Sequence, residues 1–355
     1  MTKKTLYALA VASLAVGAHA QSSVTIFGVA DVGVTYGTGS RFNNTLVSSS
    51  NTLPSRIGFR GQEDLGNNLY ATFWLEGSLA VDTGQGGTTS TNNQSTGAGT
   101  QALFNRRSTV SLLSKRFGEL RLGRDLTPQV FNHVMFDPFS NVGVGASQAY
   151  NGYRALYSVG PVSGVDTRAS NTVGYLLPSS AGGGFGGQVQ YWMGENASNT
   201  VNARDGSGAG MRLTYASGPV SLGVAAAKTS YLAGDQTTYN AGGYYDFGVV
   251  RLTGYYDRTK NGVVTGKGWL LGGDLPVGMG RFKGAVSRFS QNSGTQPTST
   301  KLALGYEHFM SKRTLLYGTV ARLTNKGGAT QALGGALTNA NDSSSGIDIG
   351  IRTSF

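Results

Sequence analysis

The chain ends on the stretch "GIDIGIRTSF", residues 346–355, in which apolar and polar side chains alternate. Ile347 and Ile349 fall on one face of an extended chain and Asp348 on the other, because successive side chains of a strand point to opposite sides. Segments of the same kind recur along the chain, and we count sixteen of them. This alternation, which continues to the last residue, predicts an all-β fold.

The segments have the length and the connections of membrane-spanning strands. Each is near the ~9–11 residues that a tilted strand needs to cross a bilayer. Short separators such as "EDLGNN" and "SKRFGE" alternate with long polar ones such as "DTGQGGTTSTNNQSTGAGTQ". Short turns on one side and long loops on the other are typical of an outer-membrane barrel, whereas nothing in a soluble β-sandwich requires them. We therefore predict a transmembrane antiparallel β-barrel of 16 strands, formed as a single domain by residues 21–355.

A barrel in lipid must have no open edge. In hydrocarbon every backbone polar group has to be paired within the protein, so the last strand must pair with the first one. The first strand is "SSVTIFGVADVGV", residues 22–34. Phe355 shares the apolar face of the last strand and is expected in the interfacial aromatic girdle. Tyr306 and Tyr317 are expected in comparable places, each near a short turn.

The N-terminal residues have the three parts of a secretory signal. Lys3 and Lys4 form a charged region, an apolar run from Leu6 to Val16 follows, and Ala18-His19-Ala20 supplies the small-residue cleavage site. We predict a signal peptide at residues 1–20 that is removed before Gln21, and hence an exported protein.

Composition narrows the possible partners. The formal net charge is +11, and without the two lysines of the predicted signal it is about +9. The arginines are scattered one per strand, with no basic helix or aromatic-basic patch, so no nucleic-acid partner is expected. Mean hydropathy is −0.16, which does not argue against a barrel because alternating strands average to neutral hydropathy.

Catalysis and metal binding are not expected. The chain has no cysteine, and beyond the signal its histidines are His133 and His308. His133 lies near Asp137, but a hydrolase site also needs an oriented nucleophile and oxyanion donors, and no "GxSxG" signal occurs. Transition-metal sites use thiolate or several imidazole ligands. No cofactor is therefore predicted.

A family resemblance adds to these inferences. The stretches "SRIGFRGQEDLGNNLYATFWLEG", "NRRSTVSL", "FGELRLGRDLTP", "FDPF" and "MSKRTLLYG" occur in the order typical of general bacterial porins of the β-proteobacterial type. The chain resembles this family from Val24 to Phe355. The resemblance implies a homotrimer in the Gram-negative outer membrane, in contact with lipopolysaccharide. It also implies a water-filled pore for ions and small hydrophilic solutes, constricted by the third external loop folding inward.

A long connection follows the strand that contains "GELRLGRD". Residues 126–167 span about forty positions before the next alternating segment. Connections beyond ~12–15 residues without secondary structure are uncommon and usually functional. The family resemblance assigns this stretch to the channel lining.

The resemblance also implies arginines on the barrel wall that face carboxylates on the inner loop. Strand parity places Arg56 and Arg60 inside, because Ile57 and Phe59 point to lipid. The predicted pore constriction comprises Arg56, Arg60, Arg107, Arg124, Arg168, Asp125 and Asp137. Arg124 is included by its "LGRD" motif, although strict parity puts it on the lipid face. Arg106 is assigned by parity to the barrel rim.

Arginine stays charged at any working pH, and rings of charged side chains select ions in pores. With few opposing acids, we expect a diffusion channel that weakly prefers anions. Three alternatives remain: a substrate-specific channel for a sugar or an organic anion, a barrel-embedded hydrolase, and an adhesive barrel with a plugged lumen.

Overall fold

The computed structural model describes residues 23–94, 100–159, 167–178, 183–232 and 234–355, so the predicted signal peptide lies outside the described residues. The strands are β1 (Ser23–Thr38), β2 (Asn44–Ser49), β3 (Arg56–Asp64), β4 (Leu69–Ser78), β5 (Thr88–Thr89), β6 (Thr100–Gln101), β7 (Arg107–Ser114), β8 (Gly118–Leu126), β9 (Arg168–Leu176), β10 (Phe185–Trp192), β11 (Gly208–Ser217), β12 (Val220–Thr229), β13 (Gln236–Asp246), β14 (Arg251–Asn261), β15 (Val264–Val277), β16 (Gly280–Gln291), β17 (Thr298–Phe309), β18 (Thr314–Lys326) and β19 (Ser344–Ser354). The helices are α1 (Pro128–Met135) and α2 (Gln148–Val159). In these ranges no helix is both long enough and apolar enough to cross a membrane.

The first and last strands pair with each other, as predicted. β1 and β19 are antiparallel, with Val29 opposite Ser354 and Thr38 opposite Ser345. The register extends to the C-terminal residue, because Gly28 N–H donates to the Phe355 carbonyl at 3.0 Å and Phe355 N–H donates back at 3.1 Å. The sheet therefore closes into a barrel without a free edge.

The wall of the barrel contains sixteen antiparallel strands, which confirms the predicted number. Its second strand is interrupted and consists of β2 and β3. β2 pairs with residues 32–37 of β1, and β3 pairs with residues 23–29. Asp31 of β1 stabilises the segment between β2 and β3, because its carboxylate accepts hydrogen bonds from the N–H groups of Thr52 (2.7 Å) and Leu53 (2.8 Å). The short strands β5 and β6 form a separate ribbon in the connection that follows β4.

Apolar side chains cover the outer face. Ile349 is 63% exposed while its neighbour Asp348 is 1% exposed, so the alternation read from the sequence separates the lipid side from the lumen. Phe355 is exposed, and its ring lies over Gly28, where a Cβ would come within 2.3 Å of the ring. Tyr306 packs on Phe282, with ring centroids 4.6 Å apart.

Tyr317 does not join this girdle, and the prediction for it is wrong. Its hydroxyl donates to Asp31 at 2.8 Å, and its side chain is buried on the lumenal side. Closeness to a short turn sets the height of a residue in the membrane, but the strand parity sets its side. Tyr317 lies opposite Gly350, on the inward face of β18.

The long connection after β8 folds into the barrel. We call residues 127–159 the inner segment. α1 begins after Thr127 with Pro128 in its first turn, a position where the missing N–H costs nothing. α1 packs against β11, β12 and β13, and α2 packs against β14, β15 and β16. Glycines on the wall allow this approach: a Cβ on Gly268 would lie 2.7 Å from Ala149.

The middle of the inner segment reaches the last strands of the barrel. Phe139 packs over Gly305 of β17, and Val144 N–H donates to Asp348 of β19 at 2.6 Å. The inner segment therefore covers the inside of the wall from β11 round to β19. The remaining part of the wall, formed by β3, β4, β7, β8 and β9, faces it across the lumen.

Candidate pore constriction

Charged side chains concentrate on the part of the wall that the inner segment leaves open. The cross-strand register brings them together, with Glu76 opposite Arg107 and Ser111 opposite Arg121. We call this set the charged stripe, and its members are Arg56, Arg60, Glu76, Arg106, Arg107, Glu119, Arg121, Asp125 and Arg168.

Glu76 is the first of two carboxylates on which arginines of the stripe converge. Its carboxylate accepts from Arg106 Nε at 2.5 Å and from the indole N–H of Trp74 at 3.1 Å, and it lies 3.6 Å from Arg56. Arg106 is therefore not a rim residue, and the prediction for it is wrong. It precedes β7, so strand parity does not govern the direction of its side chain.

Asp125 is the second carboxylate on which arginines of the stripe converge. It accepts from Arg121 at 2.5 Å, and Arg107 Nε lies 3.9 Å away. Arg121 also forms a two-pronged pair with Glu119, with both bonds at 2.9 Å. Such bidentate pairs hold a guanidinium in one orientation, which makes this end of the stripe rigid.

Two arginines stack on one indole ring. The guanidinium carbon of Arg107 lies 4.6 Å from the centroid of Trp74, and that of Arg60 lies 5.3 Å from it and 5.4 Å from the Phe27 centroid. Arg60, Arg107 and Arg121 line a cavity of ≈ 380 Å³ together with Gln62 and Trp74. Stacking on aromatic faces fixes these cations without neutralising them.

Arg168 and Arg124 are held by backbone carbonyl groups of the residues that precede β7. Arg168 Nε donates to the Arg106 carbonyl at 2.8 Å, and Arg124 Nε donates to the Asn105 carbonyl at 2.6 Å. Arg124 also donates to the Ser170 hydroxyl at 2.8 Å. It lies next to a register shift between Gly123 and Asp125, so strict parity stops at this point of β8.

The structure does not bring Asp137 to the arginines. Its carboxylate accepts from the backbone N–H groups of Phe139 (2.9 Å) and Ser147 (2.8 Å), inside the turn of the inner segment. Burial raises the pKa of the Asp137 carboxyl, and these hydrogen bonds and the nearby Lys301 act in the opposite direction. An aspartate beside a turn accepts hydrogen bonds from nearby backbone N–H groups, which compete with the arginines for its carboxylate. This competition explains why the prediction for Asp137 fails.

The predicted constriction does not include Glu76, Arg106, Glu119 or Arg121. Strand parity identifies Arg121 as an inward residue, because its apolar neighbours Leu120 and Leu122 point to the lipid face. The expected carboxylates were sought on the inner loop, whereas Glu76 and Glu119 lie on the wall itself. Another inner-loop carboxylate, Asp166, lies outside the described residues.

In two ion pairs of the stripe the cation is more accessible to water than the anion, whereas in the Arg121–Glu119 pair the order is reversed, with side chains 10% and 16% exposed. The side chain of Arg56 is 22% exposed against 10% for Glu76, and that of Arg107 is 20% exposed against 6% for Asp125. Arg60 is exposed. At Arg56 and Arg107 the guanidinium group is therefore nearer to the water of the lumen than the carboxylate that it faces. In the described part of the chain, no group of three or more acidic, histidine or cysteine side chains could hold a metal ion.

Comparison with known proteins identifies the family to which this architecture belongs. The sequence profile of a Gram-negative porin family matches residues 5–328. Outer membrane porin protein 32 of Delftia acidovorans is 37% identical over 99% of this chain and 100% of its own length. An outer membrane porin of Bordetella pertussis is 29% identical over 89% of this chain and 92% of its own length.

Solved structures give the same result. The anion-selective porin from Comamonas acidovorans superimposes with a TM-score of 0.80 at 34% identity, covering 94% of this chain and 100% of that one. The trimer form of OmpT from Vibrio cholerae has a TM-score of 0.65 at 14% identity, over 94% of this chain and 99% of that one, and supports the fold alone.

Proposed function

The chain belongs to the Gram-negative porin family and is an outer-membrane channel, and we propose that it is a diffusion channel for ions and small hydrophilic solutes that weakly prefers anions. The charged stripe and the inner segment form its constriction. The observation that carries this proposal is the greater exposure of Arg56 and Arg107 relative to Glu76 and Asp125, the carboxylates that they face.

Selectivity follows from the field in the lumen. Guanidinium groups that line a narrow aqueous passage raise the local concentration of anions and lower that of cations. The carboxylates that pair with the arginines reduce this field, so the preference is weak and does not become exclusion. The solved porin from Comamonas acidovorans, described as anion-selective, supports the same sign.

The proposal is tested by reversal potentials in planar bilayers under a KCl gradient. We expect a potential whose sign corresponds to preferred chloride passage. A cation preference, or the absence of current steps at any voltage, would refute it.

We also propose an exported homotrimer that begins at Gln21. Membership of the porin family supports the trimer, and the charged, apolar and small-residue regions of residues 1–20 support the signal. Mass spectrometry of the protein extracted from outer membranes tests both. The trimer is wrong if the mass measured under native conditions corresponds to one chain. The cleavage site is wrong if the mass measured under denaturing conditions includes residues before Gln21.

A channel with a preferred organic anion is the second candidate. The cavity lined by Arg60, Arg107, Arg121 and Glu119 favours it, because three guanidinium groups face a single carboxylate there, in a volume suited to a small organic anion. Concentration-dependent block of chloride current by a dicarboxylate, and no block by an uncharged sugar of similar size, would support this candidate.

A further inference from the structure

An apolar surface is exposed on the inner segment, inside the barrel. Val134 is 42% exposed and Met135 is 51% exposed, and Phe131 is half-buried on the same side of α1. Residues three and four positions apart share one side of a helix. We call these three residues the apolar ledge. Diffusion of ions gives the ledge no role, since inward side chains of a water-filled barrel are expected to be polar.

The apolar ledge faces the lumen. The other side of α1 is packed against the wall, where Val130, Asn132 and His133 are buried. A Cβ on Gly223 of β12 would lie 2.5 Å from the side-chain oxygen of Asn132. Since α1 lies inside the barrel, the side turned away from the wall meets the water of the lumen. A solute that passes the inner segment therefore meets this surface.

A guanidinium group lies beside the ledge. Arg212 of β11 points inward, because its neighbours Met211 and Leu213 are exposed on the lipid side. The guanidinium carbon of Arg212 lies 5.6 Å from the ring centroid of Phe131, and its Nη2 donates to Met135 Sδ at 3.1 Å. The cation and the ledge thus form one continuous surface.

Neutral groups hold this guanidinium in place. Arg212 Nε donates to the side-chain oxygen of Asn132 at 2.6 Å, and the Asn132 amide donates to Asn240 of β13 at 2.9 Å. The Asn240 amide donates to the Gln129 carbonyl at 2.9 Å, which returns to α1. Among the residues that the structure describes, no carboxylate forms an ion pair with Arg212. Its charge is therefore fixed in position and available to a ligand.

The two parts of this surface together select a class of ligand. A single guanidinium without an acidic partner neutralises one carboxylate. Apolar and thioether side chains stabilise a hydrocarbon or aromatic body, by burial and by sulfur–aromatic contact. Hydroxyl groups or a second carboxylate would lose water against the ledge and gain no hydrogen bond in return.

We propose that Arg212 and the apolar ledge form a binding site for monocarboxylates with a compact aromatic or aliphatic body. The carboxylate lies against Arg212, and the body lies against Val134 and Met135. The site rests on the proposed function as an anion-preferring channel, and it adds a solute class that the channel selects. It differs from the cavity at Arg60 and Arg107 in place and in ligand, because that cavity is lined mainly by polar side chains.

The test is block of chloride current by benzoate, in planar bilayers that contain the mature full-length protein. We expect block that saturates with benzoate concentration. Gluconate, a monocarboxylate whose body carries hydroxyl groups, should block about tenfold more weakly. Arg212→Gln should weaken benzoate block about tenfold, because it removes a charge-assisted hydrogen bond. Met135→Gln keeps the length of the side chain and should weaken it about threefold.

Arg258→Gln is the matched control. Arg258 of β14 faces outward, because the adjacent Asp257 lies 3.5 Å from His133 inside the barrel. This variant removes the same charge as Arg212→Gln and should be blocked as the wild type is. Absence of benzoate block in the wild type, equal block by benzoate and gluconate, or equal block of the Arg212 and Arg258 variants would overturn the proposal.

The chloride reversal potential of the same wild-type channels separates this site from the proposed function. Anion preference without benzoate block would overturn the site and leave the channel function intact. Cation preference would refute the anion preference, while the block of the variants would still decide the site. If Arg212→Gln gave no current steps, Met135→Gln would decide it, and block as strong as in the wild type would overturn the site.

Discussion

The two halves of the lumen contain the same kinds of charged residues but differ in how far these residues are exposed to water. On the open wall, Arg56 and Arg107 of the charged stripe are more exposed than Glu76 and Asp125, the carboxylates that they face. On the covered wall, Lys283, Lys301 and Glu307 are sealed beneath the inner segment, and Lys301 is 1% exposed. We call the second set, with Asp137 and Asp348, the buried charge cluster.

The two sets of charges also differ in their hydrogen-bond partners. Glu307 accepts from Lys283 at 2.6 Å and from Arg281 at 2.5 Å, and Asp348 accepts from Thr35 and Val144. A buried charge that is paired and hydrogen-bonded, as in Glu307 and Asp348, fixes a conformation without meeting an ion. Asp348 thus holds the inner segment in place, while the charges of the open wall are the ones that a solute meets in the proposed channel.

The largest effect is expected from Asp137→Ala. The substitution leaves the backbone N–H groups of Phe139 and Ser147 without their buried acceptor and removes a negative charge near Lys301. The free energy of unfolding should fall by about 3 kcal/mol, measured by urea denaturation in micelles, and open-channel current noise should rise. Asp82→Ala removes an exposed aspartate and is the control. Equal stability of the two variants would contradict the anchoring role of Asp137.

The next effect is on selectivity. Arg60→Gln/Arg107→Gln removes the two arginines that stack on Trp74, so the anion-to-cation permeability ratio should fall roughly fivefold, as measured by reversal potentials. Arg116→Gln/Arg313→Gln removes equal charge from two short turns and should leave the ratio unchanged. If both double variants lowered the ratio equally, overall charge and not the open wall would determine selectivity.

Ionic strength should separate the two walls without a mutation. Raising KCl from 0.1 M to 1 M shortens the screening length from about 10 Å to about 3 Å, so the anion preference set by the exposed stripe should decline. The urea midpoint, which depends on the buried charge cluster, should change little. A preference independent of salt would contradict selection by the field of exposed arginines.

The smallest effect is expected from Glu76→Gln. Removing this carboxylate frees the charge of Arg56 and Arg106, so the anion preference should rise about twofold. Glu307→Gln is the matched change on the covered wall. Because Glu307 is sealed, this second variant should lower stability and leave the reversal potential as in the wild type. A change of selectivity in Glu307→Gln would show that the two walls are not functionally distinct.

Much of the constriction could be inferred before the structure. Strand parity predicted inward positions for Arg56, Arg60 and Arg107, and their contacts with Glu76, Trp74 and Asp125 agree with that direction. Parity works because a membrane strand must separate lipid from water at every second residue. It fails where the chain leaves the regular strand, which is why Arg106 was misplaced.

The barrel could be derived from the sequence, because the alternation, the even number of strands and the need to pair every backbone group in lipid lead to the closure of β1 on β19. Which charges meet water could not be derived in this way. Asp137 is remote from Lys301 in the chain, and the folding of the inner segment against β17 brings them together. Exposure depends on such long-range packing, and no local pattern encodes it.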